Sequence, residues 1–245
     1  MDLRRGWGGV IAVFVLATGV LWAQQAPVAA KQLPGRFAPV APGERIENLD
    51  TLKEKVRAYH ECTCRCGCYA KDMGLQADRA IAYLRQWAAH REKPAKPAIV
   101  LDIDETTLSN YKEMLDRGFA YDSKAFNTWV ESAQATAIPG TLRVVKEAQK
   151  LGVVVIYLTG RPETQRAATE KNLDAQGFGG WAKLILRTPD EAGLTAQDYK
   201  SAERAKMVAA GYTLVLNMGD QWSDLRGNPE AAYSVKYPDP YYFLK

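Results

Sequence analysis

The most informative segment of this 245-residue chain is Ala98-Ile-Val-Leu-Asp102-Ile-Asp104-Glu-Thr-Thr107. Four apolar residues, which are typical of a buried strand, run directly into two aspartates separated by one residue. Because side chains at positions i and i+2 of a strand point to the same side, Asp102 and Asp104 leave the strand end aimed at a common point. Two carboxylates this close favour a cation or a proton between them. The pair therefore indicates a magnesium-assisted nucleophile with an acid/base group beside it.

A purely structural interpretation of the same residues stays open at this point. An aspartate at the end of a strand often serves as a turn residue or as the N-cap of the next helix, and Glu105-Thr106-Thr107 fits a helix start. The catalytic interpretation therefore depends on partner motifs elsewhere in the chain.

Strand and helix patterns alternate through the rest of the chain. Strands are predicted at 98–103, 153–159, 184–187 and 213–216, and helices at 141–151, 163–176 and 200–210. This alternation predicts a parallel sheet with helices on both faces, in which ligands bind beyond the carboxyl ends of the strands. The polar residues at such ends are Asp102, Asp104, Thr159 and Asp220.

Two further segments have helical patterns and are assigned to a small helical cap, at about 46–92 and 108–138. The second is rich in aromatic residues and lies between two predicted strands, where a cap over a site would be inserted. Its rings offer a surface for stacking a nucleotide base or another flat group, although packing of the cap onto the core explains each ring equally well. These aromatic residues, with two from the C-terminus, are Tyr111, Phe126, Trp129, Tyr241 and Tyr242.

The N-terminus predicts export. Arg4 and Arg5 precede an uncharged, mostly apolar run at 10–23, which is shorter than the roughly 20 residues that span a bilayer. Residues 1–23 are therefore predicted to be a signal peptide, or an N-terminal anchor if uncleaved, which is the one case in which the protein would contact a membrane. Residues 24–44 are predicted to be a flexible leader, and 45–245 the folded domain.

Composition argues against several classes of function. The formal net charge is +4, and the basic residues form no single block, so nucleic-acid binding has little support. The chain holds two histidines, His60 and His90, too few for binuclear phosphatases, and it lacks the Gly-x-Ser-x-Gly motif of serine hydrolases. No protein partner is implied.

Four motifs in order resemble the haloacid dehalogenase (HAD) superfamily, specifically its acid phosphatase branch (subfamily IIIB), which includes bacterial class C acid phosphatases and plant vegetative storage proteins. The motifs are Asp102-Ile-Asp104-Glu-Thr-Thr-Leu-Ser-Asn110, Leu158-Thr159-Gly160-Arg161-Pro162, Tyr199-Lys200-Ser201-x-x-Arg204 and Gly219-Asp220-Gln-Trp222-Ser-Asp224-Leu225. The likeness runs from about residue 45 to the end. It implies an α/β fold, a HAD-like Rossmannoid three-layer sandwich with a central, mostly parallel sheet and a small helical cap.

The resemblance also implies roles in phosphate chemistry. Asp102 would attack phosphorus and form an aspartyl phosphate, and Asp104 would act as general acid and then general base. The Thr159 hydroxyl and the Gly160 amide would bind phosphoryl oxygens. Lys200 would neutralise the phosphate and Asp102, with Arg204 supporting it from the next turn of the same helix. Lys183 and Lys206 are weaker candidates for that role, and a solvated charged helix face is the alternative explanation.

The implied cofactor is Mg²⁺, which prefers oxygen ligands. Its expected ligands are the carboxylates of Asp102 and Asp220, the carboxylate of Asp224 directly or through water, and the backbone carbonyl of Asp104. A role of Asp224 as a helix cap is the structural alternative.

The cysteines Cys62, Cys64, Cys66 and Cys68 depart from the family pattern. Their alternate spacing would place four thiols on one face of an extended segment, as a zinc or copper thiolate site requires. In an oxidising compartment disulfides compete, with three possible pairings and none preferred. Disulfides or plain surface thiols are favoured over a specific metal site.

The leading hypothesis is an exported, periplasmic or secreted Mg²⁺-dependent acid phosphatase that hydrolyses a small-molecule phosphomonoester, with a nucleotide among the candidates. A non-catalytic binding or storage protein on the same scaffold is the second hypothesis. A thiol-based metal-sequestering protein, supported by the cysteine loop alone, is the third.

Overall fold

A parallel sheet of five strands organises the part of the chain that a computed structural model describes, residues 47–62, 68–89 and 96–244. In chain order the strands are β1 (Pro97–Leu101), β2 (Leu108–Ser109), β3 (Thr136–Ala137), β4 (Val154–Pro162), β5 (Lys183–Arg187), β6 (Thr213–Gly219) and β7 (Tyr233–Lys236). The sheet has the order β5-β4-β1-β6-β7, and all of its pairings are parallel. Strand β1, which leads to Asp102, therefore lies at the centre.

Helices connect these strands. They are α1 (Leu49–His60), α2 (Tyr69–Ala88), α3 (Tyr111–Asp116), α4 (Ser123–Ser132), α5 (Pro139–Lys150), α6 (Arg166–Ala175), α7 (Ala196–Ala209) and α8 (Trp222–Leu225), with 3₁₀ turns at Glu163–Gln165 and Pro189–Glu191. Local capping explains several starts. The side chains of Asn48, Asp122 and Thr195 accept hydrogen bonds from the first-turn amides of α1, α4 and α7.

The two faces of the sheet are covered by different helices, because alternate residues of a strand point to opposite sides. Ile99 and Leu101 of β1 belong to the larger apolar core, which includes residues of α2 and α5. Ala98 and Val100 belong to a second core, which includes Tyr199 of α7. The result is the three-layer α/β sandwich that the sequence predicts.

The segment between β2 and β3 forms an insert. These two strands pair antiparallel, Leu108 with Ala137 and Ser109 with Thr136, and α3 and α4 lie between them in the chain. Because β2 follows Asp104 closely, the insert begins next to the predicted site. Helix α2, which the sequence pattern assigns to the cap, is instead part of the layer of helices over the sheet, since its buried residues pack in the larger core.

Short elements account for most other differences from the predicted pattern. The sequence pattern does not predict strands β2, β3 and β7. The first two have two residues each, and only Val235 is buried in β7, so none has a clear periodic pattern. No helix in residues 47–62, 68–89 and 96–244 is long and apolar enough to cross a bilayer. The predicted signal segment 1–23 and leader 24–44 lie outside the described residues.

Candidate active site

Three buried carboxylates meet at the carboxyl end of the sheet. Asp102 follows β1, Asp220 follows β6, and Asp224 lies in α8. One carboxylate oxygen from each lies within 4.8 Å of the others. The set provides hard oxygen donors of the kind that Mg²⁺ prefers, so these residues fit such a cation.

Lys200 of α7 lies between two of these carboxylates. Its Nζ is 2.5 Å from Oδ1 of Asp102 and 2.5 Å from Oδ1 of Asp224, and its side chain is only 5% exposed. Burial works against the charged form of Lys200, but the two carboxylates outweigh burial and hold its pKa above the usual lysine value. Lys200 is therefore a buried ammonium. The two weaker candidates for the charge-neutralising role have other partners. Lys206 pairs with Glu191 and Glu203, and Lys183 lies over the ring of Tyr212.

One ammonium does not balance three buried carboxylates, and the pKa values of two of them reflect this. Burial raises the pKa of Asp102 to about 7, with Lys200 opposing the shift and Asp224 reinforcing it. Burial, together with Asp224 and Asp102, also raises the pKa of Asp220 well above the usual range. The cluster therefore favours binding either protons or a cation.

Asp104 has different surroundings from Asp102. Arg161, which follows Gly160 in β4, forms a two-pronged ion pair with it, with Nη2 2.6 Å and Nε 3.1 Å from Oδ1 and Nε 3.1 Å from Oδ2. The Asn110 amide donates a further bond of 2.8 Å to Oδ1. Burial pushes the pKa of Asp104 upward, but Arg161 and Asn110 outweigh it, so the net pKa lies below the usual aspartate value.

The predicted phosphate-binding pair lies at the end of β4. Thr159 is fully buried, and its Oγ1 accepts a bond of 3.1 Å from the backbone amide of Arg161. Gly160 is exposed, and a Cβ placed on it would have no atom within 4 Å. Open space therefore lies beside Gly160, next to the ion pair of Arg161 with Asp104.

Arg204 does not reach toward a phosphate. It is fully buried, and its guanidinium donates to backbone carbonyls in and after α8. The accepting oxygens are those of Asp224 at 2.7 Å, Arg226 at 2.5 Å, Gly227 at 3.2 Å and Pro229 at 2.8 Å. Arg204 thus holds the segment from Asp224 to Pro229, while Lys200, to which the resemblance assigns charge neutralisation, bonds to the carboxylates directly.

Several residues of the site were not identified from the sequence. Arg161 belongs to the Leu158–Pro162 motif, and its positive charge next to Thr159-Gly160 is the feature of the sequence that indicates a role in the site. The Thr106 hydroxyl donates to Oδ1 of Asp220 at 3.1 Å, and the Thr107 hydroxyl donates to the carbonyl of Asp102 at 2.6 Å. The first bond orients the Asp220 carboxylate, and the second holds the backbone at Asp102.

Two more acids lie close to the cluster. Burial raises the pKa of Glu105 to about 8, with the nearby Asp104 adding to the shift. Burial also raises the pKa of Asp239, whose carboxylate accepts a 2.5 Å bond from Gln221 Nε2; the same amide donates to Asp220. Asp239 lies in the C-terminal segment, so no local pattern indicated its position.

The predicted stacking residues contact one another and their neighbours. Tyr111 stacks on His60 with ring centroids 3.4 Å apart, and the Tyr241 hydroxyl bonds to His60 Nδ1. Phe126 packs against Tyr121, and the indole N–H of Trp129 donates to the buried Asn110. Packing of the insert therefore accounts for several of these rings.

Two of the four cysteines lie among the described residues. Cys62 and Cys68 form a disulfide that joins the end of α1 to the start of α2. Cys64 and Cys66 lie in the segment 63–67, outside the described residues.

A parallel sheet, an insert that starts just after its central strand, and aspartates at the carboxyl ends of β1 and β6 define a protein of the haloacid dehalogenase type. The model of one branch, HAD superfamily subfamily IIIB (acid phosphatase), matches residues 28–245. The chain therefore belongs to this family, and the predicted family and fold class are confirmed.

Known proteins resemble the chain in both sequence and structure. Acid phosphatase 1 of Solanum lycopersicum is 43% identical over 148 residues, which cover 59% of this chain and 58% of the tomato protein. The Stem 28 kDa glycoprotein of Glycine max is 35% identical over 182 residues, or 72% of this chain and 70% of the soybean protein. The crystal structure of the class C acid phosphatase from Bacillus anthracis with tungstate bound superimposes with a TM-score of 0.65 at 23% identity, covering 80% of this chain and 86% of that one, which supports the fold.

Proposed function

We propose that this chain is an exported, Mg²⁺-dependent acid phosphatase that hydrolyses phosphate monoesters through an aspartyl phosphate on Asp102. Its family membership supports the reaction class. The observation that carries the proposal is the position of Asp102, which is buried, lies within 4.8 Å of two other carboxylates and is 2.5 Å from the Lys200 ammonium. A structural turn residue would need none of these neighbours.

The carboxylates of Asp102, Asp220 and Asp224, with the backbone carbonyl of Asp104, would hold the cation. When bound, Mg²⁺ would neutralise the carboxylates and polarise a phosphate oxygen. Its charge would also offset the burial and the carboxylate repulsion that together raise the pKa values of Asp102 and Asp220.

The reaction would take place in two displacements. In the first, an Asp102 carboxylate oxygen attacks phosphorus, the bond from phosphorus to the leaving oxygen breaks, and Asp104 gives its proton to that oxygen. In the second, Asp104 takes a proton from water, the water oxygen attacks phosphorus, and the bond to Asp102 breaks. Phosphate leaves, and Asp102 is regenerated as a carboxylate. Lys200, the Thr159 hydroxyl and the Gly160 amide would stabilise charge on the phosphoryl oxygens.

The surroundings of Asp104 favour activity at acidic pH. Asp104 must carry a proton to act as the acid, and its pKa lies below the usual value because of Arg161 and Asn110. The protonated fraction therefore grows as pH falls, which suits an acid phosphatase.

Export and substrate choice are further parts of the proposal. Export rests on the basic and apolar pattern of residues 1–23. The substrate class is a small-molecule phosphomonoester, and nucleotides are candidates because aromatic residues of the insert and the C-terminal segment lie near the site. Tyr242 illustrates this, since its hydroxyl is 3.4 Å from Oε2 of Glu105.

A storage protein is the second candidate. Vegetative storage protein 1 of Arabidopsis thaliana is 33% identical to this chain over 205 residues. The presence of Asp102, Asp104 and Lys200 favours the enzyme. We do not propose metal sequestration by thiolates, because the disulfide uses two of the four sulfurs that such a site would need.

Hydrolysis of 4-nitrophenyl phosphate tests the proposal. The purified protein should release nitrophenolate with Mg²⁺ and lose activity with chelator. Asp102→Asn should lower kcat by about a thousandfold or more, because the nucleophile is removed. Asp116→Asn is the matched control, since Asp116 pairs with Lys112 at the surface of α3 and should leave the rate unchanged. Equal rates for the wild type and Asp102→Asn would refute the assignment.

A further inference from the structure

Asn110 makes an unusual set of hydrogen bonds next to the proposed acid/base. It is fully buried at the start of the insert. Its Nδ2 donates to Oδ1 of Asp104 at 2.8 Å and to Oε2 of Glu105 at 3.1 Å, and its backbone amide donates to Oε1 of Glu105 at 2.6 Å. Its Oδ1 accepts a 2.8 Å bond from the indole Nε1 of Trp129. Both ends of the amide therefore have partners.

Trp129 determines which way this amide faces. An indole N–H is a donor only, so the group opposite it must be the amide oxygen. The NH₂ group then faces the carboxylates of Asp104 and Glu105. With the opposite orientation the amide oxygen would face two carboxylates and the NH₂ group would face an N–H donor, and neither contact is favourable.

Asp104 is thus held from two directions. Arg161, which comes from β4, forms a two-pronged ion pair with its carboxylate, and Asn110, at the start of the insert, bonds to Oδ1. Two anchors from different elements restrict both the position and the rotation of the carboxyl group. A general acid needs this restriction, since it must lie within hydrogen-bond reach of the leaving oxygen.

The position of α4 does not depend on the indole N–H alone. The ring of Trp129 packs against the larger apolar core, and Asn127 of the same helix accepts a 2.9 Å bond from Nε2 of the buried Gln165, which lies beyond β4. Removal of the N–H should therefore leave α4 in place and free only the Asn110 amide.

We propose that Trp129 and Asn110 are positioning residues for Asp104, through a hydrogen-bond chain that runs from the indole of the insert to the acid/base group. This inference rests on the proposed phosphatase function. It gives the insert a part in proton transfer.

The leaving group provides a readout specific to proton transfer. An alkyl phosphate expels a basic alkoxide and needs the proton of Asp104, whereas 4-nitrophenyl phosphate expels a stable phenolate and needs it little. The ratio of kcat/KM for the two esters therefore reports the placement of Asp104. A variant that merely lowers the fraction of folded enzyme changes both values equally and leaves the ratio unchanged.

The test uses Trp129→Phe, which keeps an aromatic ring and removes the donor. We expect kcat/KM for an alkyl phosphate to fall about tenfold and that for 4-nitrophenyl phosphate to change less than about twofold, since a well-placed general acid contributes about 10²–10⁴ in rate. Trp181→Phe is the control, because Trp181 packs edge-on against Tyr157 in the larger core, away from the carboxylates. Its ratio should equal that of the wild type.

A second variant acts on the amide itself. Asn110→Asp is close in shape but replaces the donor facing Asp104 with an acceptor. Its kcat/KM for the alkyl phosphate should therefore fall further than that of Trp129→Phe, again with little change for 4-nitrophenyl phosphate. Equal losses for both esters in the two variants would overturn the inference while leaving the phosphatase assignment intact. Absence of hydrolysis by the wild type would overturn both.

Discussion

Asp102 and Asp104 are separated by one residue, yet their surroundings shift their pKa values in opposite directions. Burial among carboxylates raises the pKa of Asp102 to about 7, while Arg161 and Asn110 outweigh burial and lower that of Asp104. Different environments for neighbouring acids are how one site assigns different tasks to them. In the metal-free state Asp102 is poised to lose its proton to a cation, and Asp104 is held as an anion that regains its proton at low pH.

The ion pair between Arg161 and Asp104 yields a prediction about pH. Arg161→Met removes the guanidinium that holds the pKa of Asp104 down, so this pKa should rise and the protonated acid should persist to higher pH. The alkaline limb of kcat/KM for an alkyl phosphate should therefore move upward by about one pH unit, with a lower maximum because Asp104 loses one of its two anchors. A pH–rate profile measures both effects.

Arg166→Met is the matched control. Arg166 lies five residues further on and pairs with Glu163 and Glu170, which are more exposed than Asp104. Its profile should match that of the wild type. A limb that stays in place or moves to lower pH in Arg161→Met would contradict the electrostatic role of Arg161.

At the scale of elements, α7 connects two parts of the site. Lys200 bonds to Asp102 and Asp224, and Arg204, one turn later, bonds to the backbone carbonyls from Asp224 to Pro229. Residues at i and i+4 share a helix face, so the same face of α7 presents the Lys200 ammonium to the carboxylates and the Arg204 guanidinium to the carbonyls after α8. The position of Asp224 therefore depends on α7 as well as on β6.

This arrangement predicts a large loss of stability in Arg204→Lys. A lysine keeps the charge but offers one donor group in place of the planar fork, so several buried carbonyls would lose their partner. We expect the free energy of unfolding to fall by about 2–4 kcal/mol, as measured by urea denaturation.

Lys206→Met provides the comparison on the same helix. Lys206 is largely exposed and pairs with Glu191 and Glu203, so its loss should change stability by less than about 1 kcal/mol. Equal effects of the two substitutions would show that the carbonyl bonds of Arg204 add little.

At the scale of the whole molecule, the acidic cluster couples cation binding to folding stability. Between the usual aspartate pKa and about 7, folded metal-free protein keeps a proton on Asp102 that the unfolded chain has lost. The folded state then binds more protons, so the contribution of this group to stability falls as pH rises. A cation that takes the place of this proton competes with fewer protons at higher pH and therefore binds more tightly there. Its binding then offsets the stability that the folded protein loses as Asp102 ionises.

We therefore expect Mg²⁺ to raise the thermal midpoint of unfolding more at pH 7.5 than at pH 5, with the two gains differing by about 5 °C. Scanning fluorimetry with Mg²⁺ and with chelator at both pH values measures the gains. Asp220→Asn removes one carboxylate, so it should reduce the gain at pH 7.5 and, with chelator, weaken the pH dependence. A gain that is equal or larger at pH 5 would contradict this linkage.

The class of fold and the residues at the strand ends could be predicted from the amino-acid sequence. Apolar runs such as 98–101 and 213–216 report burial through local periodicity, and alternation of strands with helices implies a parallel sheet. Because the carboxyl ends of parallel strands lie at one edge, the proximity of Asp102 and Asp220 also follows from the order of elements. The residues of the four motifs and their order along the chain indicated the family.

The hydrogen-bond partners of the side chains, by contrast, could be identified only from the folded structure. Arg161 is 57 residues from Asp104, Trp129 is 19 from Asn110, and Arg204 is 20 to 25 from its carbonyl partners. Such pairings depend on where each side chain points after the elements have packed, and local periodicity carries no information about that direction. For the same reason Arg204 could be placed on the face of Lys200 from the sequence, whereas its bonds to the loop carbonyls required the packed helix and loop.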